Sequence, residues 1–122
     1  MAKTCLRASV AVLLSIGLAG FVYAGQGQQI STPISGARQT AEDLGHDSLD
    51  ILKMDIEGAE YAVLHNVLEN SIPVTQLCVE FHHRWREIGV SRTREAISAL
   101  RARGYRIFHI SDSGEEYSFL GP

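Results

Sequence analysis

The chain is predicted to form an α/β domain in the order strand-helix-strand-helix-strand-strand, preceded by an apolar N-terminal segment. Short apolar runs alternate with segments whose apolar residues recur at helical spacing, which is typical of βαβ units. Turn-forming residues separate these segments. The 122 residues suffice for one small domain, and 45% hydrophobic with 20% charged residues is an ordinary globular composition.

The N-terminal segment has the pattern of a secretory signal peptide. Two basic residues precede an uncharged run, Ala8–Val22, and Val22-Tyr23-Ala24 places small residues where a signal peptidase cleaves. We therefore predict a signal peptide over 1–24. A membrane anchor and a buried parallel strand over Val10–Ile16 are the alternatives. A genuine signal implies a secreted or membrane-anchored protein, and its absence implies a cytoplasmic one.

Residues 25–36 are rich in Gly, Gln, Ser and Thr and are predicted to be a linker to a domain over 37–122. Within that domain the predicted strands are Leu49–Met54, Val74–Phe81, Tyr105–Ile110 and Glu116–Leu120, and the predicted helices are Ala59–Asn70 and Thr93–Arg103. The first strand is almost uniformly apolar, which suits a strand that is covered on both faces.

The two helices are amphipathic, which predicts which side chains face the core. The inward residues are predicted to be Tyr61, Leu64, Val67 and Leu68 in the first helix, and Ala96, Ile97, Ala99 and Leu100 in the second. Glu60 is placed outside the inward face of the first helix. The net charge of −3 argues against a nucleic-acid partner, because binding to phosphates requires clustered basic residues.

Acidic residues and a histidine follow two of the predicted strands. Asp55 and Glu57 are two residues apart, as are Glu80 and His82, so each pair points to one side of an extended backbone. Neighbouring parallel strands would bring the four residues to one rim of the sheet. They could bind a divalent cation, act in general-base catalysis through His82, or hold the polar end of a ligand.

Three of the acids have a purely structural interpretation as well. Glu57 and Glu60 could simply complement the dipole at the start of the first helix, and Asp55 could cap the turn at the end of its strand. We nevertheless predict a catalytic role for Asp55, Glu57, Glu80 and His82, and assign no metal ion.

The same stretches carry a resemblance to a known family. DILKMDIEGAEY, Asp50–Tyr61, resembles the LK-D-x-EGAE block that is the hallmark of the FkbM methyltransferases. QLCVEFHHRW, Gln76–Trp85, is similar to the next strand of that family, and Gly104–Leu120 is similar to its closing hairpin. The resemblance covers Ile30–Leu120. It implies the second half of a Rossmann-like class I methyltransferase sheet, which ends in an antiparallel strand.

By this resemblance the chain is expected to be an S-adenosylmethionine-dependent methyltransferase that acts on a hydroxyl of a small molecule or glycan. The cofactor-binding half of the family should precede the hallmark block. Gly25-Gln26-Gly27 is the nearest glycine-rich candidate and is interpreted as linker. We therefore expect a truncated enzyme and leave its cofactor-binding residues unassigned. The alternative is a non-enzymatic, secreted remnant of the fold that acts as an interaction module.

Truncation would leave the Leu49–Met54 strand at the edge of the sheet. Unpaired backbone groups on an apolar edge invite pairing with another chain. The sequence thus predicts self-association, pairing by the N-terminal segment, or poor solubility.

Overall fold

The computed structural model describes residues 10–15, 20–24, 28–32 and 47–122. Along them the elements are β1 Val10–Ser15, β2 Gly20–Ala24, β3 Gln28–Thr32, β4 Leu49–Asp55, α1 Glu60–Glu69, β5 Val74–Glu80, α2 Gly89–Ala102, β6 Arg106–Ile110 and β7 Glu116–Leu120. From β4 onward the order is the predicted strand-helix-strand-helix-strand-strand, which confirms the α/β fold class. In the described part of the chain, no helix is long and apolar enough to span a membrane.

The strands form one sheet in the order β3-β2-β1-β4-β5-β7-β6. β1, β4 and β5 run parallel, and β7 runs antiparallel to both β5 and β6, as predicted for the closing hairpin. Met54 pairs with Val79 near the ends of β4 and β5. The last residues of these two parallel strands, Asp55 and Glu80, therefore lie next to each other at the carboxyl ends of the strands.

β4 is an interior strand, so its prediction as a sheet edge is wrong. β1 pairs with it in parallel, with Val12 opposite Leu52. Pairing by the N-terminal segment was among the predicted outcomes, and a parallel strand there agrees with the third interpretation of that segment. The strands at the two ends of the sheet are β3 and β6. Self-association through an edge of β4 therefore loses its premise.

The structure describes only part of the predicted signal peptide and of the predicted linker, and the described parts are strands. β1 and β2 lie within the predicted signal peptide, and β3 lies within the predicted linker 25–36. Gln28–Thr32 contains only one apolar residue, Ile30, so its polar, turn-like composition obscured an outer strand. The rest of the predicted signal peptide and linker lies outside the described residues, and signal cleavage stays a prediction.

The helices cover one face of the sheet. Leu52, Met54 and Leu77 point to that face and are 0% exposed, whereas Ile51 on the opposite face is 40% exposed. Two-sided coverage of β4 is therefore wrong for the described part of the chain. α1 connects β4 to β5, and α2 connects β5 to β6, so both connections move along the sheet in the same direction. Because such connections between parallel strands are right-handed, both helices lie on the same face.

The helices differ from the predicted pattern at a few positions. α2 begins at Gly89 rather than Thr93, because a turn over Trp85–Gly89 leads directly into it through backbone hydrogen bonds to Trp85 O. Ala99 is exposed, so its predicted inward position is wrong, and Thr93, for which no side was predicted, is buried. In α1, Glu60 is 0% exposed although it was placed outside the inward face. This buried acid determines the geometry of the candidate site.

Candidate active site at the carboxyl ends of β4 and β5

Three of the four predicted site residues meet at the carboxyl ends of β4 and β5. His82 Nε2 lies 3.7 Å from Asp55 Oδ1 and 4.0 Å from Glu80 Oε1. The His82 side chain is 3% exposed, compared with 43% for Asp55 and 26% for Glu80. A buried imidazole is therefore flanked by two carboxylates that solvent and ligands can reach.

The buried carboxylate of Glu60 holds His82 from the other side. Glu60 Oε1 accepts a hydrogen bond from the backbone N–H of His82 at 2.9 Å and lies 3.2 Å from His82 Nδ1. Glu60 Oε2 accepts a second backbone hydrogen bond, from Gly58, at 2.8 Å. Because a carboxylate accepts and cannot donate, Nδ1 carries the proton in this contact, and in the neutral ring Nε2 is then the acceptor that faces the rim.

The turn between β4 and α1 brings Glu60 to this position. Glu57 and Gly58 have positive φ angles, 46° and 94°, which reverse the chain immediately after the strand. The positive φ of Gly58 favours glycine, and a Cβ there would also lie 2.8 Å from Ile88 Cδ1, the flexible end of that side chain. Glu60 then begins α1, where the positive end of the helix dipole favours a carboxylate.

Glu57 is exposed and does not join the cluster of Asp55, Glu80 and His82. The prediction that Asp55 and Glu57 point the same way assumed extended backbone through both residues. β4 ends at Asp55, and the left-handed turn at Glu57 directs its side chain elsewhere. A role for Glu57 in a site stays a prediction.

A third layer of charge lies beyond Glu80. Arg84 Nη1 is 2.6 Å from Glu115 Oε2 and 3.9 Å from Glu80 Oε1. The hydrogen bond from Arg84 lowers the pKa of Glu115, and the same bond raises the pKa of Arg84. Arg84 is thus bound mainly by Glu115, and its compensation of the charge on Glu80 is weaker.

The rim opens into a shallow groove of about 290 Å³ on the sheet face that the helices leave open. Its lining includes Lys53, Asp55, Glu80, Glu116 and Tyr117. Acidic groups outnumber basic ones there, so the groove suits a cationic ligand or one rich in hydroxyl donors.

Glu60 is the residue that the sequence analysis missed as part of the site. Glu60, Val63, Leu64 and Val67 occur at i, i+3, i+4 and i+7, which is the spacing of a buried helical stripe. All four are buried. The signal was therefore present, but the charge of Glu60 caused it to be assigned to the outer face.

Comparisons with known proteins agree with the motifs. A family profile described as the methyltransferase FkbM domain matches residues 18–107. The rat probable methyltransferase-like protein 24 is 29% identical over 90 residues, which are 63% of this chain and 25% of that protein. The human protein of the same name is 30% identical over 77 residues, which are 55% of this chain and 21% of that protein.

The chain thus spans about a quarter or less of the length of these curated relatives. No solved structure matches it.

Proposed function

Since the chain belongs to the FkbM methyltransferase-domain family, we propose that its acidic rim supports S-adenosylmethionine-dependent methyl transfer to a hydroxyl group. The observation that carries this proposal is the buried contact between Glu60 and His82, at 3.2 Å. A buried histidine that is fixed by a carboxylate and has its second nitrogen at an accessible rim is suited to accept a proton.

His82 acts as the general base in this proposal. Its Nε2 takes the proton of the acceptor hydroxyl as that oxygen becomes nucleophilic. Glu60 is a positioning residue, because it orients the ring and keeps the Nδ1 proton in place. Asp55 and Glu80 stabilise the imidazolium that results, since their carboxylates lie within 4.0 Å of Nε2.

The described residues fit a positively charged cofactor. S-adenosylmethionine, when bound, supplies an electrophilic methyl group on a sulfonium. The accessible carboxylates of Asp55 and Glu57 would attract that charge and accept hydrogen bonds from ribose hydroxyls. Gly58 is not available as an open cradle, because a Cβ there would meet Ile88. Gly25-Gln26-Gly27 lies outside the described residues.

The acceptor is a small molecule or glycan with several hydroxyl groups. The groove beside Asp55 and Glu80 is shallow, and carboxylate acceptors are suited to binding hydroxyl donors. A net charge of −3 disfavours polyanionic acceptors such as nucleic acids.

The direct test measures transfer of labelled methyl from S-adenosylmethionine to a panel of glycans and small hydroxylated compounds. His82→Gln is expected to lower kcat about 100-fold to 10,000-fold, the usual contribution of a general base. The matched control is His65→Gln, because His65 is an exposed histidine on the same helix as Glu60. Glu60→Gln should lower kcat more than it raises KM, since Glu60 acts through His82.

Two results would contradict the proposal. Full activity in folded His82→Gln would show that His82 is not the general base. Absence of both methyl transfer and S-adenosylmethionine binding, measured by calorimetry and thermal shift at millimolar cofactor, would favour the non-enzymatic interaction module. The exposed apolar side chains of Ile51, Phe108, Ile110 and Leu120 would then be the first surface to examine for a partner.

A further inference from the structure

We propose that Asp55, Glu80 and His82 form a binding site for a first-row divalent cation of the Mn²⁺ type. The site goes beyond the proposed methyl transfer and does not depend on it. It rests on three observations: the separations of the ligand atoms, the support of His82 by Glu60, and the incomplete neutralisation of the two carboxylates.

The separations suit ligands of a single ion. His82 Nε2 is 3.7 Å from Asp55 Oδ1 and 4.0 Å from Glu80 Oε1, which is too long for hydrogen bonds. Around an ion with bonds of about 2.1 Å, adjacent ligands are about 3 Å apart and opposite ligands about 4.2 Å apart. One ligand atom from each residue lies within 4.8 Å of the others, so small side-chain rotations suffice to surround an ion.

The second observation is the hydrogen bonding behind His82. A metal-binding histidine commonly donates its other ring N–H to a carboxylate, which fixes the tautomer and makes the ligating nitrogen more basic. Glu60 occupies that position at 3.2 Å from Nδ1, and its side chain is 0% exposed. The buried ring therefore presents Nε2 to the two rim carboxylates in a fixed orientation.

The third observation is the charge at the rim. Asp55 and Glu80 place two carboxylates beside the imidazole of His82. Arg84 lies 3.9 Å from Glu80 but 2.6 Å from Glu115, so its strongest interaction is with Glu115. A divalent cation between Asp55 and Glu80 would compensate both carboxylates. Arg84 does not do so, because its strongest interaction is with Glu115.

The donor set indicates which cations would bind. Carboxylate oxygens suit Mg²⁺, Ca²⁺ and Mn²⁺, whereas imidazole nitrogen suits transition metals. Two oxygens and one nitrogen therefore favour Mn²⁺ or Zn²⁺ over Mg²⁺ and Ca²⁺. Three protein ligands leave positions for water or for a hydroxyl of a bound acceptor.

The cation and the proton would compete for the same atom. Nε2 cannot hold a metal ion while it accepts a proton, so metal binding should weaken as the pH falls. With a cation bound, activation of an acceptor hydroxyl would pass to the metal, which lowers the pKa of an oxygen that it coordinates. Binding can be measured without cofactor or acceptor, which separates this inference from the proposed function.

The test titrates the full chain with MnCl₂ in chelator-free buffer and follows binding by electron paramagnetic resonance and calorimetry. We expect saturable 1:1 binding, with the hyperfine coupling of one imidazole nitrogen to the bound ion. Asp55→Asn, Glu80→Gln and His82→Gln should each weaken binding at least 10-fold. Glu60→Gln should weaken it about 10-fold to 100-fold without removing a ligand.

The matched controls are Glu69→Gln and His65→Gln, which make the same chemical changes at exposed positions. Both should bind Mn²⁺ as the unchanged chain does. Glu80→Gln alters a partly accessible side chain and keeps the test decisive if His82→Gln fails to fold. Absence of saturable binding in the unchanged chain, or unaltered binding in folded Glu80→Gln and Asp55→Asn, would overturn the inference.

Discussion

The two ends of α1 both carry a glutamate, and the two residues have opposite environments. At the N-terminal end, Glu60 is buried and faces three donors: the backbone N–H groups of Gly58 and His82, and His82 Nδ1. At the C-terminal end, Glu69 is 62% exposed and pairs with His65 at 3.1 Å. Position on the buried stripe, rather than residue type, therefore decides whether an acid becomes part of the site.

The C-terminal end is closed by ordinary contacts. Arg103 donates to Leu68 O at 2.9 Å, and the side chain of Asn70 donates to Asn66 O at 2.8 Å. The same two carbonyls also accept backbone hydrogen bonds, from Asn70 N–H and Ser71 N–H, so the last turn of the helix is closed within the chain. At the N-terminal end, the Glu60 carboxylate instead accepts hydrogen bonds from the backbone N–H groups of Gly58 and His82, near the positive end of the helix dipole. One helix thus has one terminus that supports the candidate site and another that makes only structural contacts.

The largest difference should appear when each glutamate is replaced by alanine. Glu60→Ala leaves buried donors on Gly58 and His82 without an acceptor, so we expect the free energy of unfolding to fall by about 3 kcal/mol or more. Glu69→Ala removes an exposed pair and should change it by less than about 0.5 kcal/mol. Urea unfolding of both variants measures the contrast, and equal losses would show that burial does not distinguish the two ends.

A smaller effect should come from the turn that precedes each helix. In Gly58→Ala the new Cβ would lie close to Ile88 Cδ1, and the residue would also have an unfavourable positive φ. In Gly89→Ala the φ of 73° is equally unfavourable, but the new Cβ has no atom within 4 Å. We expect losses of about 2 to 3 kcal/mol and about 1 kcal/mol, respectively.

Ile88→Val removes the carbon that Gly58→Ala would strike. The two substitutions together should therefore cost less than the sum of their separate costs in a double-mutant cycle. Additive losses would mean that contact with Ile88 does not constrain the turn.

The smallest effect concerns the outer ion pair. The hydrogen bond from Arg84 lowers the pKa of Glu115 in the folded chain. This pair therefore contributes stability above the unfolded pKa of Glu115, and the contribution is lost as the pH falls through the lower folded value. Arg84→Gln should raise the pKa of Glu115 in an NMR titration and reduce the acid-range dependence of stability. An unchanged Glu115 titration would rule out this coupling.

Several features of the fold could be predicted from the sequence. The β7 strand, Glu116–Leu120, has the predicted bounds, because turn residues mark its start and apolar residues alternate along it. The meeting of Asp55, Glu80 and His82 followed from the rule that parallel strands end at one edge. These are local patterns or direct consequences of strand direction.

Other features depend on tertiary contacts. The run Val10–Ser15 favours a signal peptide and is also compatible with a strand, and its pairing with β4 is a tertiary contact that the sequence does not reveal. The open face beside Ile51 depends on the direction in which both crossovers advance. Glu60 was misassigned because a charged residue on a buried stripe requires a partner, and His82 lies 22 positions along the chain.

The most direct test of the account is the tautomer of His82, read from the ¹⁵N resonances of its ring by NMR. Neutral His82 is predicted to carry its proton on Nδ1, held by Glu60, and to leave Nε2 unprotonated toward Asp55 and Glu80. Glu60→Gln should remove this preference, whereas Glu69→Gln should not. A neutral ring protonated on Nε2 in the unchanged chain would contradict both the general base and the cation site.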